Sequence, residues 1–119
     1  MKYLLMIHYI DAPTPRDPEA WARLSEEEQQ SVFAGYQAVS QTPGVTSSGQ
    51  LQPPEAAATV RVVDGETQLT EGPVGSPKEA VNGYLAYEAD NLDAAIELAA
   101  RIPTARMGGA VEIRPFVEG

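Results

Sequence analysis

The sequence predicts an α+β domain, and three observations carry that reading. Segments alternating between strand-like and helix-like patterning follow one another along all 119 residues. Two stretches carry helix caps ahead of apolar residues at helical spacing, Ser25 to Val39 and Asp90 to Ala99. The opening run, Lys2 to Ile10, is apolar on both faces, as a strand in the middle of a covered sheet must be.

Along that first strand Tyr3, Leu5, Ile7 and Tyr9 point one way, and Leu4, Met6, His8 and Ile10 the other. Pro13 and Pro15 end it. Asp17-Pro18 supplies an N-cap and a first-turn proline for a short helix carrying Trp21 and Leu24. Ser25-Glu26-Glu27-Glu28 matches a capping box, and the helix behind it places Val32, Tyr36 and Val39 on one stripe with Phe33 beside it. The three glutamates sit where carboxylates favour the positive end of a helix dipole, a structural role. Pro43-Gly44 stops that helix, and Val45 to Leu51 follows as a polar strand.

Pro53-Pro54 separates it from Thr59 to Val63, and Asp64-Gly65 is a hairpin turn into Thr67 to Thr70. Two glycines and two prolines make Glu71 to Pro77 an irregular loop. Gly83 to Glu88 reads as a strand. Asp90 or Asn91 caps a second long helix with Leu92, Ala95, Ile96 and Ala99 on one face, and Pro103 stops it. Gly108-Gly109 turns the chain into a last strand, Val111 to Phe116. Without the inserted hairpin the order is β-α-β-β-α-β, the split-βαβ or ferredoxin-like pattern. Two helices cover one face of such a sheet, so the other face calls for a second subunit. A homodimer of the dimeric α+β barrel type is expected.

Charge and composition narrow the function classes. Seventeen Asp and Glu against eight Lys and Arg give a net charge of −9. Phosphate neutralisation needs cations, so neither nucleic acid nor an anionic membrane is an expected partner. The N-terminal apolar run is too short to span a bilayer and lacks the cleavage site of a signal peptide. There is no cysteine, so no disulfide or thiolate metal site can form, in keeping with a reducing cytoplasm. One histidine and no phosphate-loop glycine spacing lead us to expect no metal and no nucleotide cofactor. A soluble cytoplasmic domain with a small-molecule or protein partner is the expectation.

Each candidate site residue has a plain structural reading beside its functional one. His8 is a half-buried histidine at a strand end, or a proton-handling group lining a pocket between the sheet and the Glu71–Pro77 loop. Arg61, Arg106 and Arg114 are salt-bridging partners for the many acids, or a convergent pair gripping a small anion. The loop from Glu71 to Pro77 turns the backbone, or shapes a pocket to which Glu71, Lys78 and Glu79 contribute charge. The five tyrosines are core or interface residues by parity, and any that faces a pocket, Tyr84 among them, can donate a hydrogen bond.

Glu71-Gly72-Pro73-Val74, with Lys78-Glu79 after it, resembles the DGPF group of YCII-related proteins. Met1 to Leu5, Gln52-Pro53-Pro54, Thr59-Val60-Arg61, Gly83-Tyr84 and Glu112 to Pro115 resemble the family's segments in the same order. In the name motif Glu71 stands for Asp and Val74 for Phe. The resemblance implies a dimeric ferredoxin-like α+β fold in a bacterial protein of unassigned role. YCII proteins carry a suggested His/Asp pair, but the first helix here has no histidine and Ile102 precedes Pro103. The pair is therefore not carried over. Two functions follow: a ligand-binding or regulatory interaction module, or a small cofactor-independent enzyme using His8 in a pocket on the open sheet face.

Overall fold

A computed structural model describes residues 1–118. The elements in chain order are β1 (Lys2–His8), α1 (Pro18–Ala22), α2 (Glu26–Ser40), β2 (Val45–Gln50), β3 (Ala58–Val63), β4 (Glu66–Glu71), β5 (Gly83–Glu88), α3 (Leu92–Arg101), α4 (Pro103–Arg106) and β6 (Ala110–Pro115). Short 3-10 turns at Pro54–Ala56 and Pro77–Glu79 precede β3 and β5. The chain is thus an α+β domain with four helices and a four-stranded sheet in the order β2-β5-β1-β6, antiparallel at every pairing. The hairpin β3–β4 forms a separate two-stranded sheet.

The alternation of β1 decides which face holds the core. Tyr3, Leu5 and Ile7 are buried beneath the helices, while Leu4, Met6 and His8 lie half-buried on the opposite face. Leu85 of β5 and Ile113 of β6 stand opposite Leu5 and extend the core sideways. Leu98, Ile102, Ala95, Ala99 and Val39 close it from above, with Leu5, Leu98 and Ile102 fully buried. Full burial of a residue of this size is worth about 1.5–3 kcal/mol.

The helix ends follow the residue types at them. Asp17 caps α1 by accepting from the Ala20 N–H, with Pro18 in the first turn. The capping box of α2 is complete: Glu28 N–H donates to Ser25 Oγ at 3.1 Å and Ser25 N–H donates to Glu28 Oε1 at 2.9 Å. Those bonds hold the Glu28 carboxyl below its ordinary value, the backbone donor contributing most. Gly35 of α2 lies against α4, where an added Cβ would come within 2.8 Å of Pro103 Cγ. At the hairpin tip Asp64 and Gly65 both have positive φ, 51° and 79°, as a two-residue type I′ turn requires.

Several sequence expectations are corrected. β1 ends at His8 rather than Ile10, which adopts φ 51° as the chain turns away. On α3 the buried positions are Ala95, Leu98 and Ala99, whereas Leu92 and Ile96 are each 49% exposed. The face is rotated because Leu98, not Ile96, joins the buried core cluster with Leu5 and Ile102. Pro103 ends α3 but also opens α4, a helix the sequence reading did not expect. Phe33 on α2 is 56% exposed.

The β3–β4 hairpin stands away from the body. A compact chain of this length has a radius of gyration of about 13–14 Å, whereas this one has 16.1 Å and extends 53 Å along its longest axis. Val60 and Leu69 pair across one face of the arm and Val62 lies beside them, exposed by 59%, 69% and 66%. An isolated two-stranded hairpin is marginal in water.

Candidate active site and ligand cavities

Three backbone ends meet at Asn82. Its N–H donates to Ile7 O at 2.7 Å, its carbonyl accepts from Leu51 N–H at 2.9 Å, and its side-chain Oδ1 accepts from Tyr9 N–H at 2.9 Å. The residue is 5% exposed, so it fixes the ends of β1 and β2 and the start of β5 against one another. Tyr9, just past β1, is held by that bond on one side. Its hydroxyl accepts from Gln50 Nε2 at 3.1 Å on the other. The Arg16 guanidinium lies 5.5 Å from the centre of the Tyr9 ring and donates to Leu51 O.

Two cavities flank Tyr9. The first, 480 Å³, opens between α2 and the β2–β5 half of the sheet. Its walls include Tyr9, Trp21, Phe33 and Tyr36, and Val39 and Leu85 are among its apolar residues. Trp21 and Phe33 meet with ring centroids 5.4 Å apart at 60°, a tilted geometry that aromatic pairs favour. This explains the exposure of Phe33: it packs on α1 at the cavity rim rather than in the core. Tyr36 hydrogen-bonds the Thr104 hydroxyl. Burial raises the Tyr36 phenol above its ordinary value, the Thr104 bond opposes that, and neighbouring Tyr9 adds to the rise. A cavity of this size and lining is the kind that encloses a small, flat, apolar molecule.

The second cavity, 660 Å³, lies between the Ile10–Arg23 segment and the turns at Pro53–Glu55 and Pro77–Lys78. Tyr9 and Thr14 line both cavities. The second is polar, with Arg16, Arg23 and Lys78 facing it alongside Asp11, Asp17 and Glu55. Lys78 pairs with Asp11 at 3.1 Å, both well exposed.

The sequence-derived candidates scatter. Lys78 reaches the polar cavity. Tyr84 borders the aromatic one only through its place on β5, its side chain lying with Met6 on the opposite sheet face, where its hydroxyl is 3.3 Å from Ser47 Oγ. His8 lines neither. Its Nδ1 is 2.8 Å from the Glu79 carbonyl oxygen, which makes Nδ1 the protonated nitrogen, and its Nε2 is buried without a partner. Glu71 and Arg61 lie exposed on the hairpin arm, and Arg106 lies exposed on α4. The three therefore do not converge with His8 on one pocket. Of the expected Glu71–Pro77 loop, Pro77 lines the polar cavity, while Gly72 closes the base of the arm by donating to Ala57 O and accepting from the Thr59 hydroxyl.

The sequence reading missed Tyr9, Trp21, Phe33, Tyr36 and Asn82 as site residues. The available signal was aromatic: Tyr9, Trp21, Phe33 and Tyr36 account for four of the eight aromatic residues. Among the described residues no group of three or more His, Asp or Glu gathers as a metal site. No helix among them is long and apolar enough to cross a membrane.

The chain belongs to the YCII-related family, whose domain model matches residues 1–118. It is 32% identical over 102 residues to an uncharacterised protein of Rhizobium meliloti (strain 1021), covering 82% of this chain and 80% of that protein. Among solved structures it is similar to the 5-chloro-2-hydroxyhydroquinone dehydrochlorinase of Burkholderia phenoliruptrix AC1100 in complex with 2,5-dihydroxybenzoquinone. That likeness spans all of this chain and 96% of the other, at 13% identity and a TM-score of 0.47, and none of the enzyme's chemistry is carried across.

Proposed function

We propose that this member of the YCII-related family is a small-molecule binding module whose site is the aromatic cavity between α2 and the sheet. The observation that carries the reading is the enclosure of 480 Å³ by Tyr9, Trp21, Phe33 and Tyr36. Aromatic walls around a space of that size favour a planar ring, and the Tyr9 and Tyr36 hydroxyls give it polar atoms to align on. We assign the chain to the DGPF group on its Glu71–Val74 segment. The strand order β2-β5-β1-β6 is the one a ferredoxin-like core has once the hairpin is set aside.

A homodimer completes this reading. The arm presents Val60, Val62 and Leu69, and the open face of the main sheet presents Leu4, Met6 and Tyr84. A second copy supplies both surfaces at once, as an isologous pair requires.

Trp21 is the only tryptophan and lies in the cavity wall, so it reports occupancy. Methyl 4-nitrobenzoate, a neutral planar quencher, should quench it saturably at one site per chain. Ser48→Phe, which fills the cavity from β2, should abolish the saturable part. Linear quenching that is the same in both proteins would refute the assignment.

A further inference from the structure

We infer that the molecule held in the aromatic cavity carries an anionic group, a carboxylate or its equivalent, that enters the adjoining polar cavity beside Arg23, Lys78 and Asn82. The inference rests on the proposed function, since it names the class of ligand for that same site. It starts from the junction of the two cavities. Tyr9 and Thr14 belong to both linings, so a ring lying against Tyr9 in the first cavity has its substituent directed towards the second.

The polar side is equipped for a negative charge in a chain that is otherwise strongly acidic. Three of the eight Lys and Arg residues line this one cavity. Arg16 is committed to Leu51 O and the Tyr9 ring, which makes it part of the shared wall. Arg23 makes no ion pair or side-chain hydrogen bond among the described residues, and Lys78 holds only the exposed Asp11 carboxylate, a weak pair that a ligand can displace. The lining acids are partly spent: Asp17 accepts from the Ala20 N–H and Asp11 faces Lys78, which leaves Glu55 as the opposing charge.

Asn82 is the second, independent observation. Its N–H, its carbonyl and its Oδ1 are all hydrogen-bonded within the fold. Its side-chain NH₂ alone is unpartnered, on a residue 95% buried that lines this cavity. That donor stays accessible from the cavity, and the strongest hydrogen bond it can make there is the charge-assisted one to an anionic oxygen. A neutral ring would leave Asn82 and Arg23 as they are; an aromatic acid satisfies both.

The test compares 4-nitrobenzoate with its methyl ester by Trp21 quenching at low ionic strength. The acid should bind about tenfold more tightly than the ester, the difference expected for one charge-assisted contact. Arg23→Gln and Lys78→Gln, both exposed positions, should each bring the acid to within about threefold of the ester and leave the ester's Kd unchanged. Asn82→Asp keeps the acceptor for Tyr9 N–H but replaces the donor with a charge; it should lose the acid and retain the ester. Glu55→Gln should tighten the acid alone. Saturable ester binding with no preference for the acid would overturn this inference and leave the aromatic site standing. A preference for the acid that survives Arg23→Gln, Lys78→Gln and Asn82→Asp together would also overturn it. Failure of both probes to saturate would defeat the underlying reading, and the inference with it.

Discussion

The hydroxyl pair of Tyr36 and Thr104 ties the cavity wall to the helix layer, and removing either oxygen tests how much of that wall is held by one bond. Thr104 is 2% exposed, and its hydroxyl makes no other side-chain hydrogen bond. Tyr36→Phe leaves that hydroxyl buried and unpaired, at a cost of about 1–3 kcal/mol. Thr104→Val removes the partner but leaves the phenol beside a cavity where water can replace it, so about 0.5–1.5 kcal/mol is expected. Replacing both oxygens at once leaves no orphan, and the double variant should cost less than the sum of the singles by about 1 kcal/mol. Urea denaturation of the four proteins measures this directly. Melting temperatures should follow, at roughly 3–5 °C per kcal/mol for a chain of this size. Additivity within about 0.3–0.5 kcal/mol would refute the claim that these two groups satisfy one another.

The same phenol gives an alkaline prediction. Burial raises its folded value above the unfolded 10.0, so its protonated form stabilises the fold, fully below pH 10.0 and progressively less as pH climbs through the higher folded value. The stability gap between wild type and Tyr36→Phe should therefore narrow above pH 10.0, and a gap that widens there would reverse the sign. At the α2 cap, Ser25→Ala should cost about 0.5–2 kcal/mol by chemical denaturation. Glu28 is depressed in the fold, so the gap between wild type and Glu28→Gln should be present above the unfolded value of 4.5 and close as pH falls below it. Light scattering should give about twice the 12.7 kDa chain mass, with Val62→Asp/Leu69→Asp reduced to a folded monomer. A wild-type monomer, or a double variant that stays dimeric, would contradict the proposed pairing.

How far the fold was legible depended on whether the signal was local. The capping box at Ser25–Glu28, the Asp17 cap, the Asp64-Gly65 turn and the two-faced apolar pattern of β1 are each set by residues within a few positions of one another. Apolar phase on α3 was not local. Leu92 and Ile96 satisfy helical spacing as well as Leu98 does, and only the seating of α3 on the core selects among them. The site was less legible still. Its aromatic walls come from positions 9, 21, 33 and 36, brought together by tertiary packing. His8 drew attention as the only histidine, yet strand alternation puts it on the opposite sheet face from Ile7, away from both cavities. Asn82 looked like an ordinary residue before a strand, and its role came from the three chain ends it joins.

Occupancy of the aromatic cavity is the claim on which the rest depends, and Trp21 fluorescence measures it at the wall itself. Methyl 4-nitrobenzoate should give a saturating quench of one equivalent per chain, lost in Ser48→Phe while that variant keeps its cooperative thermal unfolding. Quenching that stays linear in wild type, or saturates equally in a correctly folded Ser48→Phe, would contradict the account.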